Sequence, residues 1–214
     1  MAISISRNVS LAGILLIGLV FGAARAAPEE RPETEARGSV ERLYTALIDA
    51  MKGGYGYAGR YARLVPVLED VYDLPFLAEK SLGRHWRGLS EEERLRWVDT
   101  FSRLTTSIYA DRFDRYSGER FEVLGGEPMP HETFLVGTRL VQSNGESVRL
   151  NYRMRQRDGR WRIIDVYLNG TVSELALRRS EYSSVVKRDG FQSLVEALEE
   201  KIATTERSAD PPSR

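Results

Sequence analysis

Between Ser147 and Leu168 the chain reads SVRLNYRMRQRDGRWRIIDVYL. Its first half alternates strictly, with Val148, Leu150, Tyr152 and Met154 on one face and Arg149, Asn151, Arg153 and Arg155 on the other. A period of two is that of a half-buried antiparallel strand. Asp158-Gly159 follows as a two-residue hairpin signal, because both residues of such a turn need positive φ. That loop pairs Met154 with Ile163 and Gln156 with Trp161, so both strands turn their apolar residues the same way. Carried on, the same parity sets Asp165 on the apolar face between Ile163 and Tyr167, opposite Tyr152.

Upstream, strands are expected at Phe121–Leu124 and Thr133–Gln142. Parity chooses the turn between the second and third strands. A two-residue Asn144-Gly145 loop would throw Phe134, Val136 and Leu140 onto the arginine face. A three-residue loop, Ser143 to Gly145 with Gly145 left-handed, instead pairs Leu140 with Val148 and Val136 with Tyr152. A one-residue slip would expose the whole apolar set, so the three-residue loop is expected.

Outside this stretch the period becomes helical. Val40, Leu43, Tyr44, Leu47, Ile48 and Met51 form one stripe, ended by Gly53-Gly54. A second segment runs from about Ala58, kinked or divided by Pro66, and a short helix spans Pro75 to Gly83. Ser90 with Glu93 makes a capping box that starts a long helix ending near Tyr116 to Gly118. Its apolar face, with Trp97, Phe101, Leu104 and Ile108, is broader than packing on a flat sheet needs. Two helices follow the Asn169-Gly170 turn, one over Ser173–Arg188 and one carrying Phe191, Leu194, Val195, Leu198 and Ile202. The expected fold is α+β: a curved four-stranded antiparallel sheet packed against several helices. Such surfaces either fill a core or enclose a cavity, and pattern alone leaves both open.

The N-terminus bears on compartment. Arg7 precedes an apolar run from Leu11 to Gly22, and Ala24-Arg25-Ala26 offers a small-x-small cleavage site. The run falls short of the roughly 20 residues that span a bilayer, although an uncleaved anchor is the alternative. Residues 1–26 are read as a signal peptide, 27–39 as a flexible leader, 40–203 as one domain and 204–214 as a disordered tail. Cleavage leaves 188 residues, enough for one core, and no cysteine, which fits a bacterial periplasm. Without Arg7 and Arg25 there are 29 basic residues against 31 acidic, a net of −2 that argues against nucleic acid. Lys52, Lys80, Lys187 and Lys201 are the only lysines, a bias that anion binding or a GC-rich genome would each produce.

The search for chemistry is largely negative. His85 and His131 lack metal-ligand spacing, and a thiol nucleophile is excluded. The stretch Gly54 to Gly59 matches G-x-G-x-x-G but follows a helix, so the dinucleotide reading lacks its strand. Asp165 among apolar groups needs partners or a raised pKa. It is read as hydrogen-bonded to a tyrosine or to backbone N–H at the sheet edge. The alternative is a general base resembling that of steroid-isomerase-like NTF2-like folds.

Several pieces in order resemble the MlaC, or toluene-tolerance, family of periplasmic phospholipid carriers. They are Leu82-Gly83-Arg84-His85-Trp86, Leu89-Ser90-Glu91-Glu92-Glu93-Arg94, Gly159-Arg160-Trp161-Arg162-Ile163-Ile164-Asp165-Val166, Arg179-Ser180-Glu181-Tyr182 and Gly190-Phe191-Gln192-Ser193-Leu194. The resemblance covers roughly residues 40 to 202. One stretch departs: Leu175 to Tyr182 looks like the hopanoid-associated HpnM branch. There Arg179 and Tyr182 fall on the family's Arg and Phe, and Arg178 is extra. The resemblance implies an NTF2-like sheet and helices enclosing an apolar lipid cavity. Its lining is expected from Trp97, Phe101, Leu104 and Ile108 on the long helix, with Phe134, Val136, Leu140, Val148, Leu150, Tyr152, Ile163 and Tyr167 on the sheet. Arg178, Arg179 and Tyr182 are expected at a head group or partner. The resemblance further implies a monomer with a hopanoid or phospholipid ligand, an inner-membrane lipid transporter and an outer-membrane acceptor as partners. It implies no cofactor, metal or catalytic residue. The alternatives are an NTF2-like isomerase or hydratase using Asp165 and a scaffold of an envelope complex that binds no lipid.

Overall fold

A computed structural model of the chain describes residues 30–209; the expected signal peptide, the first leader residues and residues 210–214 lie outside them. Helix α1 (Glu30–Lys52) starts ten residues ahead of Val40. The leader is therefore helical from Glu30 on, because Ala36 extends the Val40, Leu43, Leu47 stripe by one turn and is itself buried. Helix α2 (Tyr57–Val71) runs undivided through Pro66. Asp73 caps α3 (Leu74–Leu82), its carboxylate accepting from Phe76 N–H at 3.2 Å, and a 3-10 turn over Gly83–Gly88 follows. Helix α4 (Glu91–Arg112) begins with the expected capping box, Ser90 and Glu93 each accepting from the other's N–H. It ends a turn earlier than the sequence suggests, capped by the Phe113 N–H donating to Tyr109 O.

The sheet is antiparallel in the order β1 (Arg120–Met129), β2 (Thr133–Val141), β3 (Ser147–Arg157), β4 (Arg160–Leu168), β5 (Val172–Ser173). It has five strands rather than four, since Val172 and Ser173, beyond the Asn169-Gly170 turn, fold back onto Leu168 and Tyr167. Leu140 pairs with Val148 and Val136 with Tyr152, the register that only a three-residue loop permits, and Gly145 is left-handed at φ 86°. Met154 pairs with Ile163 and Gln156 with Trp161 around Asp158-Gly159, both at positive φ.

Two bulges bend the sheet. One leaves Leu124 unpaired and exposed on β1. The other sits on β4 at Ile164, so that Tyr152 faces Val166 and Arg153 faces Asp165. An extra residue in one strand reverses its parity beyond that point. Asp165 is consequently not opposite Tyr152, and Tyr167 stands across from Asn151 on the arginine face. Gly126 on β1 is required sterically: a Cβ there would lie 2.3 Å from the Phe134 ring and 2.7 Å from Leu135 O.

Helix α1 lies on the apolar face of the sheet, tied by the Tyr44 hydroxyl donating to Thr138 Oγ1 at 2.5 Å and by Tyr44 stacked on Phe121. Thr138 passes its own hydroxyl hydrogen to Leu150 O. Helices α2, α3 and α5 (Glu174–Asp189) flank β4, and buried Asp73 pairs with Arg155 at 3.0 Å and Arg157 at 2.8 Å. Helix α4 packs on α2, α3 and α6 (Phe191–Ala209) instead of on the sheet. The helix α6 continues to Ala209, so the expected disordered tail is helical from Thr204 to that point. The Leu194, Val195, Leu198, Ile202 stripe that holds it is buried. Among the described residues, no helix is long and apolar enough to cross a membrane.

Candidate functional site

The gap between α4 and the sheet is a cavity of about 430 Å³. One wall is the stripe Phe101, Thr105, Ile108, Tyr109 and Arg112 of α4, spaced by three and four and so on one side of the helix. Facing it are Leu140, Val148, Leu150, Tyr152, Val166 and Leu168 of the sheet. Leu47 of α1, Tyr72 after α2, Leu77 of α3 and Leu175 of α5 close the sides. Apart from tyrosine hydroxyls and Thr105, polar groups enter only as Arg112, Asp165, Glu174 and Arg178. A mainly apolar pocket of this size with a few placed polar groups is the usual form of a small-molecule site.

Six of the twelve expected lining residues line this cavity: Phe101, Ile108, Leu140, Val148, Leu150 and Tyr152. The other six do not, each for a reason visible in the packing. Phe134, Val136 and Ile163 belong to the opposite end of the sheet face, where they pair with Met154 or Tyr152 and are fully or nearly fully buried as filled core. Tyr167 is turned away by the Ile164 bulge, and Leu168, opposite Leu150, takes its place. Trp97 lies one turn beyond Phe101, fully buried, with its indole N–H donating to Ala78 O at 2.8 Å and its ring edge-on to Tyr182. Leu104 points about 60° round the helix from Phe101, away from the stripe, at 3.6 residues per turn.

Asp165 borders the cavity, but its oxygens are occupied. The carboxylate accepts from Val166 N–H at 2.8 Å, Leu175 N–H at 3.1 Å and the Ser173 hydroxyl at 2.6 Å. Ser173 in turn accepts from Ala176 N–H at 3.0 Å. The pair caps the start of α5, where orphan N–H groups and the helix dipole favour a carboxylate.

Of the three residues expected at a head group or partner, Arg178 alone lines the cavity. It donates to Glu174 at 2.8 Å and to the Tyr182 hydroxyl at 3.2 Å, with its guanidinium over the Phe101 ring. Burial disfavours its charge, yet Tyr182 and Glu174 outweigh that and push its pKa up. Tyr182 is buried against Trp97, and burial raises its phenol pKa against the opposing pull of Arg178. Arg179 is exposed and folds over Gly83.

The remaining polar feature is phenolic. The hydroxyls of Tyr72 and Tyr109 are hydrogen-bonded to each other at the cavity wall. Burial pushes Tyr44 up to about 12 and holds Tyr72, Tyr109 and Tyr152 well above the usual phenol range. All four are neutral hydrogen-bonding groups at physiological pH. Among the described residues no cluster of three potential ligands could hold a metal ion.

Leu168, Leu175, Val166, Phe113 and Arg112 escaped the sequence reading, as did Leu47, Tyr72, Leu77 and Tyr109. Signals were present for some: Leu47 lies on the stripe of the first helix, Tyr109 follows Phe101 and Thr105 at helical spacing, and the β4 residues show in the consecutive Ile163-Ile164 followed by Val166-x-Leu168.

The sequence profile of the MlaC protein family matches residues 41–200. The intermembrane phospholipid transport system binding protein MlaC of Haemophilus influenzae is 23% identical over 135 residues, 61% of this chain and 63% of that protein. This chain thus spans under two-thirds of that relative's length. A solved structure of a phospholipid-binding protein from Ralstonia solanacearum, in complex with a phospholipid, is similar at a TM-score of 0.69 and 19% identity. The match covers 81% of this chain and 97% of that one, and at such identity it speaks for the fold.

Proposed function

The chain belongs to the MlaC family, and from that premise we propose that it is a periplasmic carrier moving a membrane lipid between the inner and outer membranes. The observation that carries the reading is the cavity between α4 and the far end of the sheet, apolar along its walls and charged at few points. A lipid chain entering it leaves water at about 0.8 kcal/mol per CH₂, so a long chain gains on the order of 10 kcal/mol before association costs. Release then needs a partner that opens the walls, and an inner-membrane lipid transporter and an outer-membrane acceptor fill that role for a monomeric carrier.

The phospholipid bound in the Ralstonia solanacearum structure and the name of the Haemophilus influenzae relative support a phospholipid cargo, and the HpnM-like stretch from Leu175 to Tyr182 supports a hopanoid. That stretch supplies Leu175 and Arg178 to the cavity. Exposed Arg179 is left for partner contact. Engagement of Asp165 in capping α5 supports binding over catalysis.

The test is solvent extraction of the purified protein followed by mass spectrometry, with transfer of labelled lipid from vesicles as the second readout. Near-stoichiometric lipid and measurable transfer are expected. Protein that yields no lipid and takes up none would sink the proposal.

A further inference from the structure

Resting on the lipid-carrier reading, we infer that Arg112 receives the anionic head group of the cargo. Two arginines line the cavity, and their electrostatic situations differ. The charge of Arg178 is matched inside the protein by Glu174, and it already donates to both Glu174 and Tyr182. Arg112 is exposed and makes no hydrogen bond or ion pair with the described residues. Of its neighbours, Asp114 is paired with Arg115 at 3.4 Å. Asp111 is adjacent in sequence and so points elsewhere on the helix. Lys52, over the Tyr116 ring at 4.4 Å, adds a second cation near this end of α4.

Position points the same way. Arg178 sits over Phe101, and Arg112 lies eleven residues further along α4, about 16 Å at 1.5 Å per residue. The lining between them on that helix is Thr105, Ile108 and Tyr109. At the Arg112 end, the Phe113 ring lies 5.9 Å from that of Phe121, which pairs with Leu140 and through it with Val148, so this end of α4 meets the half-buried end of the sheet face. A chain can thus run from an exposed, unmatched guanidinium toward a neutralised one that sits over buried Phe101. The guanidinium fork suits the two oxygens of a phosphodiester. The class of ligand is a lipid whose phosphate charge is not cancelled by its own head group.

The experiment loads delipidated full chain from vesicles made of equal parts phosphatidylglycerol and phosphatidylcholine, then measures the ratio of the two in re-isolated protein. Wild type should enrich phosphatidylglycerol about two- to fivefold, the range expected of a partly exposed ion pair. Raised salt should shrink that preference. Arg112→Gln should bring the ratio to that of the vesicles, and Arg112→Lys should keep a preference. Melting curves of the delipidated variants verify the fold. A wild type without preference, an Arg112→Gln that retains it, or an Arg112→Lys that loses it as fully as Gln overturns the assignment while the carrier reading stands. Wild type that takes up neither lipid overturns both. Glycerol phosphate alone should leave the melting temperature unchanged; a rise abolished by Arg112→Gln would reassign the residue to free phosphate esters.

Discussion

Asp165 and Ser173 meet at 2.6 Å, carboxylate to hydroxyl, and between them they satisfy the N–H groups of Leu175 and Ala176 at the start of α5. Removing the carboxylate leaves Leu175 and Val166 N–H without that acceptor. Asp165→Ala should therefore cost about 1–3 kcal/mol of stability by chemical denaturation. Asp165→Asn keeps one acceptor oxygen, should cost less, and should still complement a deletion strain. Lost complementation with unchanged stability and unchanged lipid loading would point to acid–base chemistry instead.

Leu150 lies where the sheet faces the cavity. In a filled core Leu150→Trp would overpack and destabilise by about 1–3 kcal/mol. Here the indole should enter the gap, leaving delipidated protein as stable as wild type while the purified protein carries little lipid. Delipidation of both is essential, because bound ligand raises apparent stability by mass action. A mutant that melts several degrees lower yet keeps its lipid would count against the cavity.

Ile163, on the same face but at the other end, supplies the opposite control. It is fully buried against Met154 and outside the cavity lining. Ile163→Ala should cost about 2–5 kcal/mol by denaturant titration. Lipid per folded molecule should remain near the wild-type value, and a selective loss of lipid would place the boundary between core and cavity elsewhere.

The buried phenols set an alkaline limit. A phenol held above its unfolded pKa of 10.0 favours the folded state fully below that pH, and this advantage disappears as pH rises through the folded value. For Tyr44, raised to about 12, that amounts to on the order of 3 kcal/mol. Stability should fall between pH 10 and 12, with tyrosine ionisation in the ultraviolet coinciding with unfolding. Phenols that ionise near pH 10 while the fold persists would contradict this.

Much of the fold was readable because alternation and turn chemistry are local. The Ser143–Gly145 loop, the Asp158-Gly159 turn and the Ser90–Glu93 box each follow from a few neighbouring residues. The β4 bulge was missed because alternation was carried unbroken through Ile164 to Asp165, whereas the carboxylate beyond the bulge caps α5, a contact distant in the pattern. Helix faces were the harder matter. The stripe on α4 is broad since part of it, Trp97 and Leu104, is core and part of it, Phe101, Ile108 and Tyr109, faces the gap. Which part does which depends on where α3, α5 and α6 stop, and that information is spread over the whole chain.

The buried hydrogen bonds of helix α4 run to the helices and to the α2–α3 corner: Trp97 to Ala78 O, Tyr57 to Ser107, Arg60 to Ala110 O, and Tyr109 to Tyr72. Among the described residues no hydrogen bond joins it to the strands it faces. The two walls are coupled through an intermediary, the α2–α3 corner, where Asp73 and Tyr72 fasten to β3 and β4. Such a cleft behaves like a book held at its spine: parting the covers disturbs side-chain contacts but breaks no strand ladder. On the carrier proposal, such a fold would admit cargoes of unequal thickness at little cost in backbone order, and selectivity would fall to the few charged groups at the edges of the pages.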